Sequence, residues 1–226
     1  ATRLLAASVL LLSCRNQIRA DMGYAAVSAT SISGNSNSGT VFDTAHLISQ
    51  GGLSTGYVSG VTDAATFSTT HDDSFDEWVS PAQSLPAFVA FDMGSAVSLT
   101  AFLYWGSSFS GAGGQQDVKD FDLFADTDMD PTNGLGVLLG SFSAADSSGN
   151  VNTHEMERFD FSQTTTQFIH MRINNTHSTN PNPGFSEAAF IGTESAPVPE
   201  PSTLALLSLG TLGLCGRRWR RRQDPA

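Results

Sequence analysis

Ala87-Phe88-Val89-Ala90-Phe91-Asp92-Met93 stands between Pro86 and Gly94, and Val97-Ser98-Leu99-Thr100-Ala101-Phe102-Leu103-Tyr104-Trp105 follows three residues later. The first segment alternates in bulk and is bounded by a proline and a glycine, which is the pattern of a strand. The second is dense in β-branched and aromatic residues, which suit a pleated, half-buried surface. Further along, Val118 to Ala125 alternates, Gly136 to Ser143 reads as a strand and Arg158 to Phe161 as a short one. Thr166 to Ile173 sets Phe168, His170 and Arg172 opposite Ile169, Met171 and Ile173, and Ser186 to Gly192 closes the series. Ser107 to Gln116, Asp126 to Gly136 and Asn174 to Gly184 are turn-rich connections. On the other side, Ser54 to Phe67 mixes small, glycine and β-branched residues, and residues 21–40 read as a flexible lead or a weak first strand. No stretch between the ends holds a helical period. About eight short strands separated by turns indicate an all-β fold, a β-sandwich of jelly-roll type.

Charge is segregated along the 226 residues. Of the 22 acids, 20 lie between Asp21 and Ser195, where only Lys119, Arg158 and Arg172 oppose them; three cations against twenty acids leave that region at −17. Such a surface repels nucleic acid and anionic membranes and suits divalent cations. Both cysteines, Cys14 and Cys215, lie in the end segments, so residues 41–195 hold without a disulfide.

The ends read as processing segments. Arg3 and the apolar Leu4 to Ser13 suggest a secretory signal over residues 1–20, with a start that lacks Met and is expected to be incomplete. Residues 196–226 contain Val198-Pro199-Glu200-Pro201, an uncharged run from Thr203 to Cys215 expected to form a short hydrophobic helix, and the cluster Arg217-Arg218-Trp219-Arg220-Arg221-Arg222. The run has thirteen residues, against about 20 for a stable span. Five arginines behind it favour the cytoplasmic side. A transient membrane anchor is the expectation. Pro199-Glu200-Pro201 with this order of segments resembles the PEP-CTERM sorting signal of bacterial exported proteins. The resemblance implies a sorting or processing protease as partner, and export to the cell surface or extracellular matrix.

The middle of the chain resembles the discoidin-like, galactose-binding-like domains. The residues that carry this are Phe88 to Ser95 followed by Leu99 to Trp105, then Phe121 to Asp126, Gln167 to Ile173 and Ser186 to Phe190. The chain has Ile48-Ser49-Gln50-Gly51 where the family often has an Asp-Gly turn, and Gln167 where it has an arginine. The resemblance implies a structural Ca²⁺ held by an early loop before the tryptophan and by a late glutamate. Asp72, Asp73, Asp76 and Glu187 fall in those places, and calcium takes six to eight hard oxygens. Asp126 to Gly134 also alternates acids, but its glycine and final residue are misplaced for an EF-hand, and Asp and Asn favour turns for local reasons.

A sugar-binding face uses exposed aromatics beside polar groups. Trp105, Phe109 and Tyr57 lie in or beside expected loops and could stack on a sugar ring; His170 and Arg172 share one side of a strand and could bond a hydroxyl. Buried core aromatics and an outward polar face are the plain alternatives. His46, His71, His154, His170 and His177 have no ligand spacing, and no nucleophile elbow is present. The expected function is a non-enzymatic exported protein that binds an extracellular component such as polysaccharide. A self-associating matrix protein and an unrecognised hydrolase are the alternatives.

Overall fold

The computed structural model describes residues 21–32, 42–67, 69–72, 76–81, 85–107, 116–147, 153–177 and 182–193. In chain order the strands are β1 Met22–Tyr24, β2 Ser28–Ser31, β3 Thr70–His71, β4 Trp78–Val79, β5 Ala87–Trp105 and β6 Asp120–Asp126. They continue with β7 Val137–Ser143, β8 His154–Glu155, β9 Glu157–Ile173, β10 Gly184–Phe185 and β11 Glu187–Thr193. Two 3₁₀ turns, Thr44–Ile48 and Ala64–Thr66, start on Asp43 and Asp63, whose carboxylates accept the N–H groups of Ala45 and Ala65.

The main sheet runs β1-β11-β5-β9-β6-β7, with β2 added to β5. Its pairings are antiparallel. β5 and β9 lie side by side from Ala87 opposite Ile173 to Tyr104 opposite Glu157. Register shifts fall between Asp92 and Val97 and between Leu99 and Ala101. The first half of β5 is flanked by β2, with β6 and β7 beyond β9; the second half is flanked by β11, with β1 beyond it. The long strands therefore belong to two layers, and they turn from one to the other near Gly94. Gly94 has φ +76°, a conformation that costs glycine little. Its N–H donates to Asp92 Oδ1 at 2.7 Å, and Gln167 Nε2 donates to the same oxygen at 3.0 Å.

The two layers face each other across an aromatic core, which makes the molecule a β-sandwich. Phe91 and Phe121 of the first layer meet Phe102, Phe159 and Phe190 of the second. Ring centroids are 5.5 Å apart for Phe91–Phe190, 5.9 Å for Phe102–Phe121 and 5.0 Å for Phe121–Phe159. Leu99, Leu123, Ile169 and Met171 fill the space around them. A second cluster covers the outer side of the second layer: Ala101, Leu103, Trp105, Ala189 and Ile191 pack under Tyr57 and Phe67, with Leu53 and Ala64 at the margin.

Two sequence expectations change. The segments read as two strands at Ala87–Met93 and Val97–Trp105 are one strand of 19 residues. Arg158–Phe161 and Thr166–Ile173 likewise merge into β9, because the polar stretch between them finds partners on β5. Of the two readings of residues 21–40, a flexible lead or a weak first strand, the described part gives two short strands: β1 pairs with β11 and β2 with β5. The secretory segment and the C-terminal signal lie outside the described residues, among which no helix is long and apolar enough to cross a membrane.

Phe102 is fully buried and meets rings from both layers. Phe102→Ala is expected to cost about 3–5 kcal/mol of unfolding free energy. Denaturant melts would check this, and a loss below 1 kcal/mol, on the order of a surface substitution, would contradict the placement of the core.

Candidate functional site

β11 begins at Glu187, opposite Trp105, and this places a carboxylate inside the protein. Glu187 Oε2 accepts the Gln50 N–H at 3.0 Å, whereas Oε1 has no hydrogen-bond partner among the described residues. Gln50 is in the left-handed region, with φ +59°. Its side chain in turn accepts the Tyr57 N–H at 2.8 Å. Gly51 follows because space is short: a Cβ there would overlap the Asp76 carboxylate. Asp76 contacts His46 Nδ1, with the two side chains about one-fifth to one-quarter exposed. The Asp72 N–H donates to the Gly52 carbonyl at 2.8 Å, which ties the acidic segment to the same loop through its backbone. Asp72 itself is exposed. Asp73 lies outside the described residues.

Burial pushes the Glu187 carboxyl up to about 9, with the Gln50 N–H opposing and the Asp76 charge adding to the rise. The same environment raises the Tyr57 phenol, through burial first and the Glu187 charge second. Among the described residues no three His, Cys, Asp or Glu side chains gather as a metal-binding group. A cation at this corner would take oxygens from Glu187 and Asp76 and complete its shell with carbonyls or water. An orphaned buried oxygen beside a second carboxylate fits a hard cation such as Ca²⁺.

A second buried polar group lies at the same end of the strands. Asp117 is fully buried and accepts four bonds: Tyr104 Oη at 2.7 Å, the Ser107 N–H at 3.2 Å, and the Ser147 N–H and Oγ at 2.9 and 2.5 Å. The Tyr104 phenol rises well above its usual value through burial and then Asp117. Ser107 Oγ also donates to the buried Glu77 at 2.5 Å. His71 and His154 are cross-strand partners on β3 and β8, and both are buried. Burial lowers the His154 imidazole, partly offset by Asp117. Sequence reading picked out none of Gln50, Asp117 or Asp122, because no spacing or motif marks them.

The aromatic stacking expectation is corrected. Trp105 is wholly buried, and its Nε1 donates to the Thr69 carbonyl at 3.1 Å. Tyr57 packs edge-on against Phe67, centroids 4.6 Å apart, and is 7% exposed. Both were read as loop aromatics; the segment that folds over the second layer takes them into its cluster instead. Phe109 lies outside the described residues.

His170 and Arg172 do share the outer face of the first layer, but only one reaches solvent. His170 is buried, its Nε2 2.9 Å from the Asp128 carbonyl and its Nδ1 3.3 Å from Asp126 Oδ2. The side chain of Arg172 is 38% exposed. Its Nε and Nη2 donate to Asp122 Oδ2 at 3.0 and 2.6 Å, and its Cζ lies 5.4 Å from the Phe124 ring centroid. Asn174 Nδ2 joins the same oxygen at 2.8 Å, and Ser141 Oγ donates to Oδ1. Burial raises the Asp122 carboxyl, but the Ser141, Asn174 and Arg172 bonds outweigh it and hold it below the ordinary value. In the acidic loop, Asp128 and Asp130 accept local N–H and side-chain donors from Asp130, Thr132 and Asn133. Turn chemistry therefore accounts for those acids.

Residues 197–222 match the PEP-CTERM protein-sorting motif. No curated protein matches the chain. Among solved structures, the chain is similar to the CBM32-5 domain of Clostridium perfringens in complex with GalNAc-β-1,3-galactose. Identity is 14%, coverage is 74% of this chain and 94% of that one, and the TM-score is 0.48. It is also similar to the family 32 CBM of C. perfringens NanJ in complex with galactose, at 12% identity, 76% and 93% coverage and a TM-score of 0.44. A third is the C-terminal domain of a Bacteroides fragilis chitobiase, at 18% identity, 76% and 94% coverage and a TM-score of 0.46.

The raised Glu187 carboxyl has a defined consequence in chelator. The folded protein keeps a proton there that the unfolded chain releases above its ordinary value of 4.5. This contribution to stability is complete below 4.5 and is lost as pH rises toward about 9. Melts across this window should show wild type falling relative to Glu187→Gln, which has no proton to lose. Parallel pH profiles would contradict the burial of an unpaired carboxyl.

Proposed function

We propose that this chain is an exported, non-enzymatic surface or matrix protein whose β-sandwich binds polysaccharide through the outer face of its first layer. The observation that carries the reading is Arg172. It is one of three cations among the twenty acids of residues 21–195, and it is held in one orientation by Asp122 and the Phe124 ring while remaining partly exposed. A guanidinium fixed in this way keeps free N–H donors directed at solvent, ready for ring hydroxyls at little ordering cost. Phe88, partly exposed, lies opposite Arg172 on β5, and Phe168, also partly exposed, lies four residues from it along β9, opposite Asp92. Export follows from the sorting motif: the secretory segment starts translocation, the hydrophobic run and arginines hold the C-terminus transiently in the membrane, and a sorting protease acts near Pro199-Glu200-Pro201.

The same reading assigns a structural Ca²⁺ to Glu187 and Asp76, with Asp72 and Asp73 nearby in the chain. When bound, it would supply positive charge between two carboxylates. The residues do the rest: Gln50 orients Glu187, Gly51 leaves room for Asp76, and the loop is thereby joined to β11.

A second reading has its own observation. β7 pairs only with β6 among the described residues and exposes Val137 and Leu138, 69% and 54%. An uncharged free edge can pair with another copy, as a self-associating matrix protein requires.

Binding is tested by retention on extracellular polysaccharides. Arg172→Lys keeps the charge and loses the planar fork; about tenfold weaker retention, roughly 1.4 kcal/mol, is expected. Retention on no polysaccharide by the folded wild type would sink the reading. Concentration-dependent assembly without sugar dependence would favour the second one.

Calcium is tested separately by melting with the ion and with chelator. A folded-state site adds about 2.7 kcal/mol at a hundredfold excess over its Kd, and Glu187→Gln should abolish the response. An unchanged wild-type midpoint would remove the ion from the account.

A further inference from the structure

Asn133-Gly134 is the sole Asn-Gly pair in the chain. It sits in the acidic loop between β6 and β7, and both residues are exposed. Among the described residues other than Gly134 and its two chain neighbours, no atom lies within 4 Å of where a side chain on Gly134 would begin. The Gly134 nitrogen is unshielded by a Cβ of its own residue, and the loop around it is exposed to solvent. We propose that Asn133 is a site of spontaneous deamidation, and that the conversion loosens this loop from the sheet.

The chemistry needs only the chain and water. The Gly134 backbone nitrogen attacks Cγ of Asn133; the N–Cγ bond forms and the Cγ–Nδ2 bond breaks. The side-chain nitrogen leaves as ammonia, taking up the proton that the Gly134 nitrogen gives up. Water then opens the succinimide at either carbonyl and leaves aspartate or isoaspartate at position 133.

The consequence follows from what Asn133 holds. Its Nδ2 donates to Asp128 Oδ2 at 2.9 Å, while Asp128 Oδ1 accepts the Asp130 N–H at 2.8 Å. These bonds hold the Asp128 carboxyl below its usual value, the Asp130 N–H first and Asn133 second. The Asp128 carbonyl accepts from His170 Nε2 and so fastens the loop over the outer face of the first layer. Deamidation replaces the donor with a carboxylate facing a carboxylate, in a loop that already carries Asp126, Asp128 and Asp130. The hydrogen bond becomes a repulsion, and the hold on His170 weakens. None of this depends on whether the face binds polysaccharide.

The test is peptide mapping of the full chain after incubation in mildly alkaline buffer, with mass and isoaspartate as readouts. The Asn133 peptide should convert severalfold faster than the peptide carrying the exposed Asn174 and Asn175, neither of which precedes glycine. Asn133→Gln should remain unconverted at position 133. An Asn133 that stays intact, or converts no faster than Asn174 and Asn175, overturns the proposal. For the loosening, freshly purified Asn133→Asp should exchange backbone hydrogens of residues 127–134 severalfold faster than wild type. Unchanged exchange overturns that step.

Discussion

The second half of β5 is apolar on both faces, and both must leave water. Phe102 and Tyr104 point into the sandwich, while Ala101, Leu103 and Trp105 point away from it. A strand of this kind needs cover on its outer side. The chain supplies it from residues 53–67, which lay Tyr57 and Phe67 over Trp105, Ala189 and Ile191. This covering has consequences at its near end. The segment starts from Gln50-Gly51-Gly52, and so the loop is delivered to the start of β11, where Glu187 meets the Gln50 N–H and Asp76 fills the space that Gly51 leaves. Trp105 and Tyr57, two of the aromatics expected to meet a sugar, are consumed in the same step.

The strands were legible because their pattern is local. Ala87–Met93 and Val97–Trp105 announce themselves by alternation and by bounding residues. That they form one strand was not legible, because the continuity is tertiary: β9 runs beside both halves and the bend is absorbed at Gly94. The polar Ser162-Gln163-Thr164-Thr165 reads as a break for the same reason: Thr164 and Thr165 become strand opposite Leu99 and Ser98, and Ser162 and Gln163 fall at the register shift. The lead residues Met22–Tyr24 and Ser28–Ser31 carry little periodicity and are strands only by virtue of free edges on β11 and β5.

Site legibility divides differently. Glu187 and Asp76 were singled out through a resemblance, and the fold brings both to the Gln50–Gly52 loop. Trp105 reads as exposed because it ends an expected strand, and Tyr57 because it stands in a glycine-bearing stretch of small residues; a covering segment cannot be seen in a linear pattern. His170 and Arg172 were paired correctly by strand parity. What separates them is the acidic loop, whose Asp128 carbonyl closes over one and leaves the other in reach of solvent.

Of the four buried carboxylates among the described residues, three, Asp117, Asp122 and Glu187, show how the Glu187 corner differs from the other two. Asp117 receives four neutral donors from three residues, so both oxygens of this fully buried carboxyl have partners. Asp122 has the Arg172 fork, Asn174 and Ser141, so a positive charge and two further donors share it. Glu187 has one N–H on one oxygen and Asp76 as a charged neighbour of like sign. A carboxylate in that position must either take a proton or take a cation, because burying a bare charge costs several kcal/mol or more. The proton is the cheaper answer in a chelated protein, which is why the group rises to about 9. In a compartment that holds divalent ions a cation of the proposed kind would compete with that proton for the same oxygens. Occupancy would then turn the least satisfied carboxylate of the three into the anchor between the covering segment and β11.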